Sequence, residues 1–462
     1  MNAPLLLLLY TSALAVLVAV LRRERVLVWL LAGIGAGLAA LLVFAIRLDE
    51  AGGILGIPFK LSGTWTIVGR SLVLGESNQS AVGFVYLLAA FLFAGGYVAR
   101  PGRLFYAAGL VVVGLVAASL MVVPFLYAAV LLECMAIVAV LILSPPEVAG
   151  FHAPMRMVVL YTLGMIALLI AGRQADVLGA GAAPADGART ATALAMLGFA
   201  MLLAVPPFHI WFPSSAGQSH PYALAFVILI SQAGALFLVF RFVDAYAWLR
   251  EDAELFAGVR WVAIAMAGFA ALWAMAQRSL ARTAAYAMLA DTAVILLAFS
   301  SMTPGGYQLA LGLSGARVIS LSVWALGASV LRNAGAGDTS DELAGIGYQA
   351  PLATATVLVG LFSLAGFPLT AGFPGRWAVM AGGGSAALVV VGTLAAVSLA
   401  AVRWTSTVFR TPRELTLPGS SALERFLLGA GIALCLLLGL FPQLLYPWVV
   451  DALSGLTGLA GG

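Results

Sequence analysis

The stretch FVILISQAGALFLVF, Phe226 to Phe240, is apolar on both sides of one amide, Gln232. Extended back to Tyr222 it has the length an α-helix needs to cross the hydrocarbon core of a bilayer. Inside such a helix the backbone satisfies itself, but a side-chain amide must find partners elsewhere. The run therefore reads as a membrane span that carries one polar group for a reason.

The rest of the chain repeats the pattern. Of 462 residues, 63% are hydrophobic and 9% charged, too few charges to cover the surface of a soluble protein of this size. Apolar runs recur along the whole length, giving about fourteen spans. They fall near 3–21, 26–46, 80–98, 104–120, 123–144, 155–172, 191–211, 222–240, 258–277, 284–302, 308–331, 351–373, 382–403 and 423–445. The expected class is an all-α polytopic membrane protein; a β-barrel would show short alternating segments instead. The first run lacks a basic leader and a clear cleavage site, and RRER (22–25) followed by another apolar run argues for a retained helix. Placing the N-terminus outside puts Arg22, Arg23, Arg25, Arg100, Arg103 and Arg332 in inner loops, in line with the positive-inside bias. The segment from Arg47 to Gln79 reads as a surface stretch or a small hairpin. A net charge of +4, spread over short loops, offers nothing to nucleic acid. Cys134 and Cys435 lie in separate apolar helices, and His152, His209 and His220 are scattered, so neither a disulfide framework nor a metal spacing is visible. No nucleotide-binding glycine motif and no nucleophile with its base stand out.

Two spans are interrupted. AVPPFHIWFPSS (204–215) holds Pro206, Pro207 and Pro213; SLAGFPLTAGFPGRW (363–377) holds Pro368, Gly372, Pro374 and Gly375. Such breaks free backbone groups that neighbours or water must satisfy. Two breaks far apart in one chain suggest an internal repeat around a hydrated path. Ionisable groups inside spans cost about 2.5–3.5 kcal/mol each on insertion scales, so each needs a reason. Glu133 in AAVLLECMAIV is a protonatable site on an ion path or a structural carboxyl. Asp291 in YAMLADTAVIL and Arg317 in GLSGARVISLSV would offset each other's cost as a pair. Arg376 either reaches a surface or points into the bundle. His209, at the first break, is a proton carrier or a structural hydrogen-bonder.

PFHIWFP (207–213), AQRSLARTAAYAMLADTAVILLAF (276–299), SLAGFPLTAGFPGRW (363–377) and ERFLLGAGIALCLLLGLFPQ (424–443) together resemble the antiporter-like membrane subunits of respiratory complex I, most nearly subunit N. The resemblance covers nearly the whole chain. It implies two inverted five-helix repeats within the expected spans, at 104–243 and 244–410, preceded by three helices in 1–103 and followed by a C-terminal helix in 411–462. It implies a glutamate in the fifth span and lysines in the seventh, eighth and twelfth. Carried over, the glutamate falls on Glu133, and the lysines on Leu202, Gln232 and Arg376. The basic pair before the tenth span falls on Ala281 and Arg282, and that span's histidine on Asp291. Every carried-over lysine is thus replaced; the one lysine in the chain is Lys60. Arginine is effectively always charged and glutamine does not titrate, so a lysine-to-lysine relay is not expected here.

The resemblance implies a membrane-arm subunit of a proton-translocating NADH:quinone oxidoreductase, in a bacterial inner membrane. Such a subunit moves protons or braces neighbours that do. Glu133, His209, Gln232, Asp291, Arg317 and Arg376 are the candidate path residues. The chain would hold no redox centre; NADH, FMN, iron–sulfur clusters and quinone would be bound by partner subunits. The partners implied are other membrane-arm subunits and lipid. A subunit of a multisubunit cation/proton antiporter or of a membrane-bound hydrogenase shares the same pattern, and an independent secondary transporter is a third reading.

Overall fold

A computed structural model of the chain describes residues 2–46, 51–54, 57–67, 69–144, 152–179, 186–410, 420–456 and 458–459. The chain opens with α1 (Ala3–Val20) and α2 (Arg25–Ala45). A small extramembrane unit follows, of β1 (Ala51–Ile54), β2 (Ile57–Lys60), β3 (Thr64–Ile67) and β4 (Arg70–Val73). Both β1–β2 and β3–β4 are antiparallel pairs, so the described part of 47–79 takes the hairpin alternative, twice. Next come α3 (Glu76–Ala99), α4 (Phe105–Met121), the two-residue β5 (Val122–Val123), which adds to β4, and α5 (Ala128–Leu143). The first interrupted region runs through α6 (His152–Gly179), α7 (Asp186–Leu202) and the short α8 (Trp211–Ala216) to α9 (Pro221–Ala245). After the single turn α10 (Ala247–Arg250) come α11 (Ala253–Ala276), α12 (Leu280–Phe299), α13 (Pro304–Asn333) and the turn α14 (Ile346–Gln349). The second interrupted region is α15 (Pro351–Ala365) and α16 (Phe373–Ala381), and the chain closes with α17 (Gly384–Val408), α18 (Ala422–Leu440) and α19 (Tyr446–Ser454).

Among the described residues, eleven helices are long and apolar enough to cross a membrane, and three shorter apolar helices lie at Phe105–Met121, Gly187–Leu202 and Pro351–Ala365. The expected fourteen is reached only by counting those three. Two of the short ones end at the breaks: α7 stops at Leu202, before Pro206 and Pro207, which have no N–H to donate, and α15 stops at Ala365. Likewise α5 begins at Ala128, because Pro124 and a 3₁₀ turn (Phe125–Tyr127) take up the start of the expected span. Helix α19 is an addition; it packs on α3 and α13.

Burial sorts the helices. In α9 and α12, 89% of the apolar window is hidden, against 17% in α18. The exposed large side chains lie on the outer helices, with Val16 and Val20 on α1, Leu41 on α2, Trp261 and Leu272 on α11, Leu388 on α17 and Phe426 on α18. In a membrane such a surface faces lipid, which is as apolar as the helix core. The stretch around Gln232 thus lies in one of the two most enclosed helices. Outside the membrane region a loop latches back onto α12: the Asp338 carboxylate accepts from the Ser279 hydroxyl and from the Ala281 amide at 2.8 Å, while Glu342 accepts from the amides of Asp338 and Thr339. This satisfies donors that the first turn of α12 would otherwise leave free.

Candidate functional site: a buried line of polar groups

Three charged side chains from three helices meet in the enclosed centre. Asp291, midway along α12, takes Nε of Arg317 (α13) on one carboxylate oxygen and Nη2 of Arg376 (α16) on the other, both at 2.5 Å. All three residues are at most 5% exposed. Arg317 then reaches two more partners: Nη1 donates to Oε1 of Gln232 on α9, and Nη2 to the hydroxyl of Thr292, each at 3.1 Å. The Gln232 amide is thereby oriented, since only its oxygen can accept from a guanidinium. Its Nε2 points away and meets no partner among the described residues.

The second helix break exists in a form that holds Arg376. Ending α15 at Ala365 leaves carbonyls without intrahelical donors. Arg376 supplies them: Nη2 donates to Leu364 O at 2.7 Å and Nη1 to Gly372 O at 2.8 Å. Two glycines make the room. Gly366 has φ +86°, the left-handed cap conformation, and a Cβ there would lie 2.2 Å from Cδ of Arg376. A Cβ on Gly372 would lie 1.9 Å from Ser363 O. The Ser363 hydroxyl accepts from the Gly372 amide at 3.1 Å and meets Ser320 of α13 at 2.7 Å, closing the loop onto α13.

Glu133 lies elsewhere on α5. Its Oε1 accepts from the Thr162 hydroxyl of α6 at 2.6 Å, and its Oε2 has no partner among the described residues. Tyr161 of α6 is close enough to interact with both Glu133 and Ser231 of α9, and its hydroxyl donates to Leu202 O at 3.3 Å. His209 is apart from these groups, edge-on to Phe269 with ring centroids 4.9 Å apart and near Tyr286. The structure therefore brings together Gln232, Asp291, Arg317 and Arg376, sets Glu133 apart from them with Thr162 and Tyr161 beside it, and leaves His209 outside. Arg376 points inward. Thr162, Thr292, Ser320 and Ser363 were not singled out from sequence. A lone hydroxyl in an apolar helix commonly bonds its own preceding turn, as Thr162 also does with Val158 O, and so carries no signal.

The family described as NADH:quinone oxidoreductase/Mrp antiporter, membrane region, matches residues 184–402, which include Gln232, Asp291, Arg317 and Arg376. Over that stretch, just under half of the chain, it is similar to these antiporter-like membrane subunits. It is 32% identical over 275 residues to NADH-quinone oxidoreductase subunit N 3 of Streptomyces griseus, covering 54% of this chain and 48% of that protein. With subunit N 1 of Solidesulfovibrio magneticus it shares 30% over 320 residues, 65% of each. With F420H2 dehydrogenase subunit N of Methanosarcina mazei it shares 32% over 197 residues, 40% of this chain and 40% of that protein. The chain thus spans between about two fifths and two thirds of these relatives in the matched stretches. Solved structures extend the likeness of fold over the whole antiporter-like subunit. A chain of complex I from Thermus thermophilus superposes with a TM-score of 0.78 at 22% identity, covering 98% of this chain and all of that one. A chain of the Mrp complex from a Dietzia species gives 0.77 at 17%, covering both chains fully.

Proposed function

We propose that the chain is a membrane-arm subunit of a proton-translocating, NADH:quinone oxidoreductase-like complex, with Glu133 as its proton-carrying group and the Arg317–Asp291–Arg376 cluster as a fixed charge beside the path. The observation that carries this reading is the set of polar groups held inside the bundle: Glu133 with Thr162 and Tyr161 on one side, and Gln232 with the charge cluster on the other. A charge buried in a membrane bundle marks an ion path by default. Arginine keeps its proton, glutamine has none to exchange, and both Asp291 oxygens are engaged by guanidinium groups. Glu133 differs: one oxygen is held by Thr162 and the other is free of protein partners among the described residues. It is the group placed to pick up and release a proton. His209 lies apart from both sets, near a helix break, and serves as a side entry at most.

Electron transfer on NADH, FMN, iron–sulfur clusters and quinone belongs to partner subunits in this reading, and the partners in the bacterial inner membrane are other membrane-arm chains and lipid. The two five-helix repeats, 104–243 and 244–410, put Glu133 in the first and the charge cluster in the second. The likeness to an F420H2 dehydrogenase subunit supports a second reading with the same membrane role and a different driving reaction.

The deciding experiment replaces Glu133 with Gln in the intact complex, reconstitutes it in vesicles, and measures proton movement and electron transfer together. Loss of proton movement by tenfold or more with the complex still assembled is the expected result (about 1.4 kcal/mol per tenfold). Unchanged coupling would reject Glu133 as carrier and leave a bracing role for the chain.

A further inference from the structure

We infer that the chain binds a chloride ion in a buried cavity beside Gln232 and Arg317. The cavity, of about 30 Å³, has Gln232 of α9, Thr292 of α12, and Ser314 and Arg317 of α13 as its polar wall; the rest of the lining is apolar, Phe84 of α3 and Leu203 beyond the end of α7 among it. That volume suits a guest the size of one or two waters, which admits a bare halide and excludes a phosphate.

Charge and hydrogen bonding both ask for an anion. Two guanidiniums share one carboxylate, so the cluster carries a net single positive charge away from water. The Glu133 carboxylate has its protein contact with Thr162 and none with the cluster. An uncompensated buried charge is costly, and a bound counter-ion removes that cost. The donors at the cavity are in surplus. Gln232 is 4% exposed, and its Nε2 is left without a partner because Arg317 fixes the amide with the oxygen turned toward itself. Each terminal nitrogen of Arg317 has a second N–H beyond the ones given to Gln232 and Thr292. The acceptors are already used: Gln232 Oε1 and Thr292 Oγ1 both take Arg317. The Ser314 hydroxyl, now bonded to Leu311 O, can turn to add a third donor.

The test uses the assembled complex in lipid nanodiscs, prepared in sodium gluconate and titrated with sodium bromide or sodium chloride at constant ionic strength. The expected result is a saturable rise in Tm with either halide that gluconate does not give. Crystals grown in bromide should show an anomalous peak within about 3.5 Å of Gln232 Nε2 and Arg317 Nη1. Gln232→Leu should remove both the rise and the peak. If that variant fails to assemble, Gln232→Glu supplies the negative charge from the protein itself; it should be stable without halide and indifferent to it. No anomalous peak, or a halide response that survives in Gln232→Glu, would overturn the site.

Discussion

Gln232 stands where the family resemblance places a lysine, yet the position is not without a cation: Arg317 arrives from α13 and donates to the glutamine oxygen at 3.1 Å. Putting the lysine back is therefore expected to harm the protein. Gln232→Lys would set an ammonium against a guanidinium and remove the acceptor that Arg317 uses. The complex should assemble poorly, and the double variant Gln232→Lys with Arg317→Ser should recover yield; purified complex per cell measures both. The shared anion sets a second ranking. Removing Asp291 leaves two buried cations unpaired, whereas removing Arg317 leaves the Asp291–Arg376 pair intact. Breaking a buried pair costs about 3–5 kcal/mol, so Asp291→Asn should lower Tm clearly more than Arg317→Gln; the reverse order would contradict the geometry. Asp291 and Arg317 announce themselves in the sequence, because a charge within an apolar run must be compensated. That Arg376, 85 residues from Asp291, shares the same carboxylate is not legible there, since pairing across helices is settled only by packing.

The break between α15 and α16 is legible as a break, from Pro368, Gly372, Pro374 and Gly375, but its purpose is visible only in three dimensions: the loosened carbonyls of Leu364 and Gly372 become ligands of Arg376. Gly366→Ala forces an alanine into a left-handed conformation and drives a methyl onto the Arg376 side chain. A cost of about 1–3 kcal/mol is expected from the strain alone, read as a fall in Tm; an unaffected Tm would mean the cap can open without loss. The loop latch on α12 behaves differently with pH. Burial pushes the Asp338 carboxyl above its usual range, with Glu342 adding to this, and the hydrogen bonds from Ser279 and Ala281 and the charge of Arg282 oppose it. A carboxyl raised in the folded state binds its proton more tightly there than in the unfolded chain. Its contribution is therefore complete below the ordinary aspartate value near 4 and is lost as pH rises through the raised value. Amide exchange at 279–283 should speed up from pH about 4 upward beyond the intrinsic rate, and Asp338→Asn should flatten that slope. An opposite slope would mean that the hydrogen bonds outweigh burial.

Across the whole molecule, the membrane class and the positions of the spans follow from apolar run lengths, because in lipid the backbone leaves few alternatives to a helix. The segment between α2 and α3 is legible as a surface stretch or a hairpin, and its described part forms hairpins; the addition the sequence hides is α19, whose nine residues are too few to mark a span. Helix α13 is the longest helix among the described residues. It runs unbroken for 30 residues, with Arg317 near its middle and, at its end, Arg332 donating to Ser219 O and Asn333 to Ala99 O. Between Arg317 and Asn333 lies about 24 Å of helix at 1.5 Å per residue. A helix is stiff along its axis, so these two sites share their motion. A fluorophore or spin label attached at Ala334, just past the helix end, would then act as an external gauge of the arginine at the centre, recording during turnover whether the charge cluster stays still or shifts.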